Sequence, residues 1–354
     1  MRSFFMVNRK FVGLILAVSL VFAPQRVMAQ TLDQFLQRAD AAWSEGRYVE
    51  AERMFRQAIQ LEPNNAEAHF YLGLALLEQE KPEEAIASFQ RAIELEPNNA
   101  EVHPYLGLAL LEQEKPEEAI ASFQRAIELD PNHAMAHFYF SAVLISQEKP
   151  EEAIAFYQRG IELDPNSAMA YYNLGNALYL QGEPEDAIAA FQRAIELDPN
   201  LAVAHYNLGN ALRLEGELEE AIASYQRVIE LDPNHAFAHS LLGHVLRDQG
   251  KPEDAIAALQ RAIELDPNYA FAHSLLGDLL GAQGELEEAI ASYQRVVELN
   301  PNSVIAHFDL GRALLEQGKL EDAIAAFQRA IELDPDFTAA QTNLEEAERL
   351  LVTP

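Results

Sequence analysis

Nine prolines, Pro63, Pro97, Pro131, Pro165, Pro199, Pro233, Pro267, Pro301 and Pro335, stand 34 residues apart without a slip. A fixed period of roughly 20 to 50 residues marks stacked supersecondary units, each of which buries its apolar face only against its neighbours. A chain of 354 residues would otherwise divide into two or three globular domains. Here length measures the number of copies, and the repeats are themselves the core.

One copy, residues 66–99, reads AEAHFYLGLALLEQEKPEEAIASFQRAIELEPNN. His69, Leu72 and Leu76, then Ile86, Phe89 and Ile93, recur at three- and four-residue spacing, which predicts two amphipathic helices. Pro82 with Glu83 and Glu84 suits the first turn of the second helix, where proline lacks only a donor that is unpaired anyway and acids favour the positive end of the dipole. Pro97 ends it. After the first helix stands a glycine in six copies (Gly46, Gly182, Gly216, Gly250, Gly284, Gly318), as a left-handed cap requires. Glu80, Glu114 and Glu148 take that place in the others, at a small local cost.

The eighth position is glycine in seven of the nine copies and the twentieth is always alanine, as in Gly73 and Ala85. Small residues at fixed places on both helices predict a close helix–helix approach, with Leu72 and Phe89 filling the surrounding space. Spacing, small residues and terminal proline together resemble the tetratricopeptide repeat family, and the copy AMAYYNLGNALYLQGEPEDAIAAFQRAIELDPNL is close to that family's consensus. The resemblance covers nine units: 32–65, 66–99, 100–133, 134–167, 168–201, 202–235, 236–269, 270–303 and 304–337. It implies an all-α, right-handed superhelical solenoid of nine helix-turn-helix repeats, first helices lining a concave face. Arg38 replaces the usual leucine in the first unit, as suits a polar end. Residues 338–354 are expected to form a capping helix with Leu344 and Leu351 inward, and Glu345 at the glycine position blocks further stacking.

Residues 1–29 follow another pattern. Arg2, Arg9 and Lys10 precede the apolar run FVGLILAVSLVFA, and a V-M-A sequence ends at Ala29. This is the order of a secretory signal peptide cleaved before Gln30. The competing reading, a retained anchor, has an apolar run shorter than the roughly 20 residues that cross a bilayer. The expected location is outside the cytoplasm, periplasmic or envelope-associated, with no stable membrane insertion after cleavage.

Absence of cysteine excludes a lipidated cysteine, disulfides and thiolate chemistry. The chain carries 56 acidic against 25 basic residues, a net −31, which disfavours nucleic acid and anionic membranes as partners. No phosphate loop, nucleophile elbow, HExxH or EF-hand pattern occurs, and Tyr71–Leu95 is repeated residue for residue as Tyr105–Leu129. Duplicated surface is a poor place for a catalytic constellation that must occur once, so no enzyme and no cofactor are expected.

His69, His103, His137, His205, His239, His273 and His307 share the fourth position. A metal ladder is one reading, helped by the pairs His133/His137 and His235/His239. Packing is the other, and the lack of a carboxylate at fixed ligand spacing favours it. Acidic pairs such as Glu151/Glu152 divide in the same way between acid–base chemistry and service to the helix dipole, with no fixed partner group to support the former.

The family resemblance places ligand contacts at the second, fifth, sixth, ninth and twelfth positions of each first helix. In units two to four these include Phe70, Tyr71, Leu74, Leu77, Tyr105, Leu108, Phe138 and Tyr139, an apolar strip that serves either a ligand or packing between repeats. Units five and six offer Tyr172, Asn173, Asn176, Tyr206, Asn207 and Asn210, amides suited to an extended peptide backbone. Arg213, His244, Arg247 and Arg312 then add positive charge for an acidic segment or carboxylate. The family's carboxylate clamp needs lysine at the fifth position, which no unit has. In unit four, Phe140, Ser141 and Gly160 replace the usual residues, read as drift or as a hinge. The expected function is a non-catalytic scaffold that binds extended segments of other proteins or peptides. Self-association, or service to an enzyme on another chain, are the alternatives.

Overall fold

The computed structural model describes residues 23–352, with side chains from Leu32 onward, so residues 1–22 of the expected signal segment lie outside the described residues. The described residues form helices α1 (Ala23–Ser44), α2 (Tyr48–Leu61), α3 (Ala66–Leu77), α4 (Pro82–Leu95), α5 (Val102–Glu112), α6 (Pro116–Leu129), α7 (Ala134–Ser146), α8 (Pro150–Leu163), α9 (Ala168–Gln181), α10 (Pro184–Leu197), α11 (Ala202–Glu215), α12 (Leu218–Leu231), α13 (Ala236–Asp248), α14 (Pro252–Leu265), α15 (Ala270–Ala282), α16 (Leu286–Leu299), α17 (Val304–Glu316), α18 (Leu320–Leu333) and α19 (Thr338–Val352). Odd-numbered helices are the first of each hairpin and even-numbered ones the second. The expected cleavage point before Gln30 falls inside α1. Among the described residues no helix is long and apolar enough to cross a membrane.

Each second helix starts where its sequence dictates. Pro82, Pro116, Pro150, Pro184 and Pro252 occupy the first turns of their helices, each followed by two acids. Termination is equally local. In the Asp-Pro-Asn turns the aspartate side chain accepts the backbone N–H two residues on, as Asp130 does from Asn132 at 3.0 Å and Asp198 from Asn200 at 3.0 Å. Asn65, Ser167 and Ser303 then cap the next first helix through their side chains.

Between the two helices of a hairpin the chain turns through a left-handed residue. Gly182 has φ +85°, and Glu80, Glu114 and Glu148 hold φ of 57°, 58° and 60° at the equivalent place. The glutamates thus adopt the strained conformation that the glycine pattern demands.

The glycine at the eighth position makes room for a ring in six of its seven copies, whereas Gly243 faces Leu259 and the Ala255 carbonyl. A Cβ on Gly73 would lie 2.5 Å from Cε1 of Phe89, and on Gly175 2.6 Å from that of Phe191. Phe89, Phe123, Phe191, Tyr225 and Phe327 are consequently among the largest fully buried side chains.

The chain divides into two compact units, the first ending at Val143 and the second beginning at Leu144, within α7 of the fourth repeat. In the first unit Leu72, Leu76, Phe89, Leu106 and Phe123 are buried. In the second, one cluster runs from Tyr172 to Val245 and another from Leu246 to Ala347. The second cluster takes in Leu344 of α19, whereas Leu351 is 45% exposed rather than inward. Among the described residues no helix follows α19 to cover its last turn.

Candidate functional site: the face of the first helices

First helices of successive repeats touch one another, α3 with α5, α9 with α11 and α13 with α15. Their shared face is the candidate site.

In the first unit much of the expected apolar strip is interior. Tyr71 stacks on Phe55 at 5.8 Å between ring centroids, Tyr105 on Phe89 at 6.4 Å and Tyr139 on Phe123 at 6.1 Å. Each sixth-position tyrosine therefore fills the joint with the preceding repeat. Phe70 ties Tyr71, Phe89 and Tyr105 together at 5.2–6.1 Å, and Phe138 packs edge-on to Tyr139. Leu74, Leu108 and Tyr139 are buried, while Phe70, Tyr71, Leu77, Tyr105 and Phe138 are half-buried. Burial pushes the Tyr139 hydroxyl up to about 12. Packing against the second helix of the preceding repeat, the second of the two readings, accounts for Tyr139, and Leu74 and Leu108 are likewise withdrawn from the surface.

Asn176, Asn207 and Asn210 of the second unit are engaged in hydrogen bonds within the protein. Asn207 Nδ2 donates to Asn176 Oδ1 at 2.6 Å and lies 3.3 Å from the Tyr172 hydroxyl, and the Tyr225 hydroxyl donates to Asn210 Oδ1 at 2.8 Å. Asn173 is only 4% exposed and Tyr172 is buried, so neither offers itself to a ligand. Tyr206 is half-buried and packs on Tyr225 and His235.

The expected positive patch is a mixed one. Arg247 bonds Asp248 at 3.0 Å and approaches Asp278 at 4.0 Å, His244 stands 3.5 Å from Asp248, and Arg312 stands 3.9 Å from Asp309. Arg213 lies against the buried Tyr225 hydroxyl. Asp278 also accepts a hydrogen bond from the Tyr293 hydroxyl at 2.7 Å. Asp309 is held up at about 6, first by burial and then by the Asp278 charge, with Arg312 opposing. Burial and the adjacent Arg247 push His244 down. Asp278 and Asp309 were not singled out from the sequence, although they stand at the ninth and sixth positions.

Another set was also overlooked. Met169, Val203, Phe237, Phe271 and Ile305 are exposed by 38%, 46%, 51%, 40% and 56%. They occupy the second position of five consecutive first helices, and form a row. The aromatic members are braced from below: Phe237 packs on Tyr269 at 4.6 Å, and Phe271 on Tyr269 at 6.1 Å and on His244 at 5.8 Å. In repeats two and three the same position holds Glu67 and Glu101, both exposed, and in repeat four the half-buried Met135. The switch from acid to apolar residue was the available signal.

The fourth-position histidines serve the turns. Nε2 of His69, His137, His205, His239, His273 and His307 donates to the carbonyl of Pro63, Pro131, Pro199, Pro233, Pro267 and Pro301, at 3.0–3.2 Å. His103 departs because Pro104 follows it. Starting α5 at Val102 puts that proline in the first turn, where no hydrogen bond is lost. Among the described residues, no three histidine, aspartate or glutamate side chains converge as a metal site.

Comparison with known proteins agrees with this architecture. The tetratricopeptide repeat family model matches residues 36–100, 106–168, 143–202, 172–236, 240–303 and 274–336, and a second tetratricopeptide repeat model matches 88–121. The chain belongs to the tetratricopeptide repeat family. Such repeats are in general non-catalytic scaffolds for protein–protein interaction. Similar solved structures include PilF of Pseudomonas aeruginosa, at 20% identity over 60% of this chain and 97% of that one with a TM-score of 0.54. The Cut9 and Hcn1 hetero-tetramer of APC/C matches at 16% identity over 89% and 76%, with a TM-score of 0.51. YrrB, described as a tetratricopeptide repeat protein with an unusual peptide-binding site, matches at 28% identity over 53% and 97%, with a TM-score of 0.47. No curated protein matches the chain.

Proposed function

We propose that this tetratricopeptide repeat protein is an exported, envelope-located scaffold without catalytic activity, which holds extended segments of other proteins on the first-helix face of its second unit. The observation that carries this reading is the row Met169, Val203, Phe237, Phe271 and Ile305, one exposed apolar side chain at the same position of five successive first helices, with Leu180 and Leu214 also exposed on α9 and α11. Contiguous apolar exposure of this kind marks contact surfaces. An array of identical spacing suits a ligand that is itself repetitive along its length, which an extended backbone is. The basic and apolar N-terminal pattern supports export.

A photo-crosslinking residue at Phe237 or Phe271, compared with one at exposed Gln260 on the second helix α14, tests the binding face. Labelling of an added unfolded polypeptide should come from the first two positions, and equal labelling from Gln260 sinks the reading. Mass spectrometry of the mature N-terminus tests export, with Gln30 as the expected first residue. A second reading, self-association, draws on the exposure of Leu350, Leu351 and Val352 at the end of α19. Light scattering across concentration decides it, since a strict monomer excludes it.

A further inference from the structure

Two rows run across the second unit on the same side of its first helices. The apolar row stands at the second position. Seven residues on, about 10 Å along each helix and on the same face, stands a polar row that includes His244, Asp278 and Arg312 at the ninth position. Asp309 lies between the rows on α17, and Asp248 closes the polar side of α13.

Charge in the polar row is not balanced from within. Three aspartates, Asp248, Asp278 and Asp309, face two arginines, and only Arg247 with Asp248 is at hydrogen-bonding distance. At 4.0 Å from Arg247 and 3.9 Å from Arg312, Asp278 and Asp309 lack a hydrogen bond from either guanidinium, and Asp278 takes its bond from the neutral Tyr293 hydroxyl instead. Burial first and the Asp278 charge second hold Asp309 toward its neutral form, against the pull of Arg312. Between the rows, at the fifth position, Ser274 of α15 is half-buried and Ser240 of α13 is fully buried, so only small side chains stand there.

We propose that the segment held by repeats seven to nine is an extended peptide in which apolar and cationic side chains alternate, apolar ones on Phe237, Phe271 and Ile305 and lysine or arginine on Asp278 and Asp309. In an extended chain successive side chains point to opposite sides. A strand laid across the helices between the two rows therefore turns every other side chain to the apolar row and the rest to the aspartates. The ligand charge proposed here is opposite to the acidic segment expected from the sequence, and the assignment rests on the peptide-binding reading above.

Fluorescence anisotropy on the full chain tests it with four labelled peptides of equal length: alternating leucine–lysine, leucine–glutamine, leucine–glutamate and serine–lysine. Leucine–lysine should bind tightest. The double variant Asp278→Asn, Asp309→Asn should weaken it by about tenfold, as should Phe237→Ser with Phe271→Ser. The net charge of the chain is a competing attraction, so Glu253→Gln with Glu287→Gln on exposed second-helix turns serves as the matched control and should change affinity less than about twofold. Circular dichroism confirms that each variant is folded. If the control pair weakens binding as much as the aspartate pair, or leucine–glutamate binds as well as leucine–lysine, the assignment is overturned. If leucine–glutamine binds as well as leucine–lysine and still depends on Phe237 and Phe271, the cationic preference fails while the peptide-binding face stands. If no peptide depends on Phe237 and Phe271, both fail.

Discussion

Repeats two and three and repeats five to nine keep the same 34-residue rhythm, yet they use the same positions in opposite ways. In the former the second position is acidic, as Glu67 and Glu101, and the sixth-position aromatics turn into the joints between repeats. In the latter the second position is apolar and exposed, while the interior positions carry asparagine, tyrosine and aspartate held in hydrogen bonds. Apolar character on a first helix is thus no guide to what a ligand meets. One region spends its aromatics on stacking, the other displays them.

The largest effect should come from exchanging those roles. Tyr139→Ala removes a buried ring stacked on Phe123 and is expected to cost about 3 to 4 kcal/mol. Phe271→Ser removes an exposed ring and should cost less than about 1 kcal/mol. Equilibrium unfolding in urea measures both. Equal losses would erase the distinction between a packing region and a display region.

A smaller effect separates the same regions at their turns. Glu80 and Glu114 sit at φ 57° and 58°, where glycine stands in the later repeats. Glu80→Gly and Glu114→Gly should each stabilise by about 1 kcal/mol, since the left-handed conformation costs a side chain about that much. Gly182→Ala, at φ +85°, should lose a similar amount. Thermal melts of the three variants provide the check. If the glutamate replacements leave the melting temperature unchanged, these turns carry no strain and differ from the later ones in name only.

How far these differences could be foreseen depends on whether they are local. Hairpins, caps and turns were legible because Pro82, Gly182 and the Asp-Pro-Asn turns act within a few residues of themselves. The strain at Glu80 was legible for the same reason. The apolar row was not, because an apolar residue at a fixed place in an amphipathic helix reads as core, and only the packing of a neighbouring repeat decides whether Phe237 is covered. Arg247 and Arg312 looked like free positive charge along the chain. Asp248, the nearest counter-ion of Arg247, is its neighbour in the chain and was there to be read, whereas Asp278 reaches Arg247 only when repeats stack and Asp309 reaches Arg312 only when the helix turns. Glycine at the eighth position was read correctly as a contact, but its partner, a ring sixteen residues later, needed the hairpin to be closed.

The smallest predicted effect bears on the display region alone. Asp309 is raised from 3.8 to about 6 by burial and by Asp278, against Arg312, with the Tyr293 hydroxyl also in the cluster. In the unfolded chain the same carboxyl ionises near its ordinary value, so between about pH 4 and pH 6 the folded state holds more protons than the unfolded one. Stability from this group therefore falls as the pH rises through that window, and the whole penalty is present above it. Because the carboxyl keeps some contact with water, the penalty is about 1 kcal/mol rather than the full value of the shift. Asp309→Asn should raise the melting temperature at pH 7.5 and leave it nearly unchanged at pH 4, whatever the other acids contribute, since they are common to both proteins. A lysine-bearing peptide bound at Asp278 and Asp309 should remove the same pH dependence from the wild type, because a cation beside the carboxylate favours its charged form. The first unit, whose second-position Glu101 is instead lowered by its contact with His133, should show no such rescue. A variant that melts in parallel with the wild type from pH 4 to pH 7.5 would remove Asp309 as the feature that sets the late repeats apart.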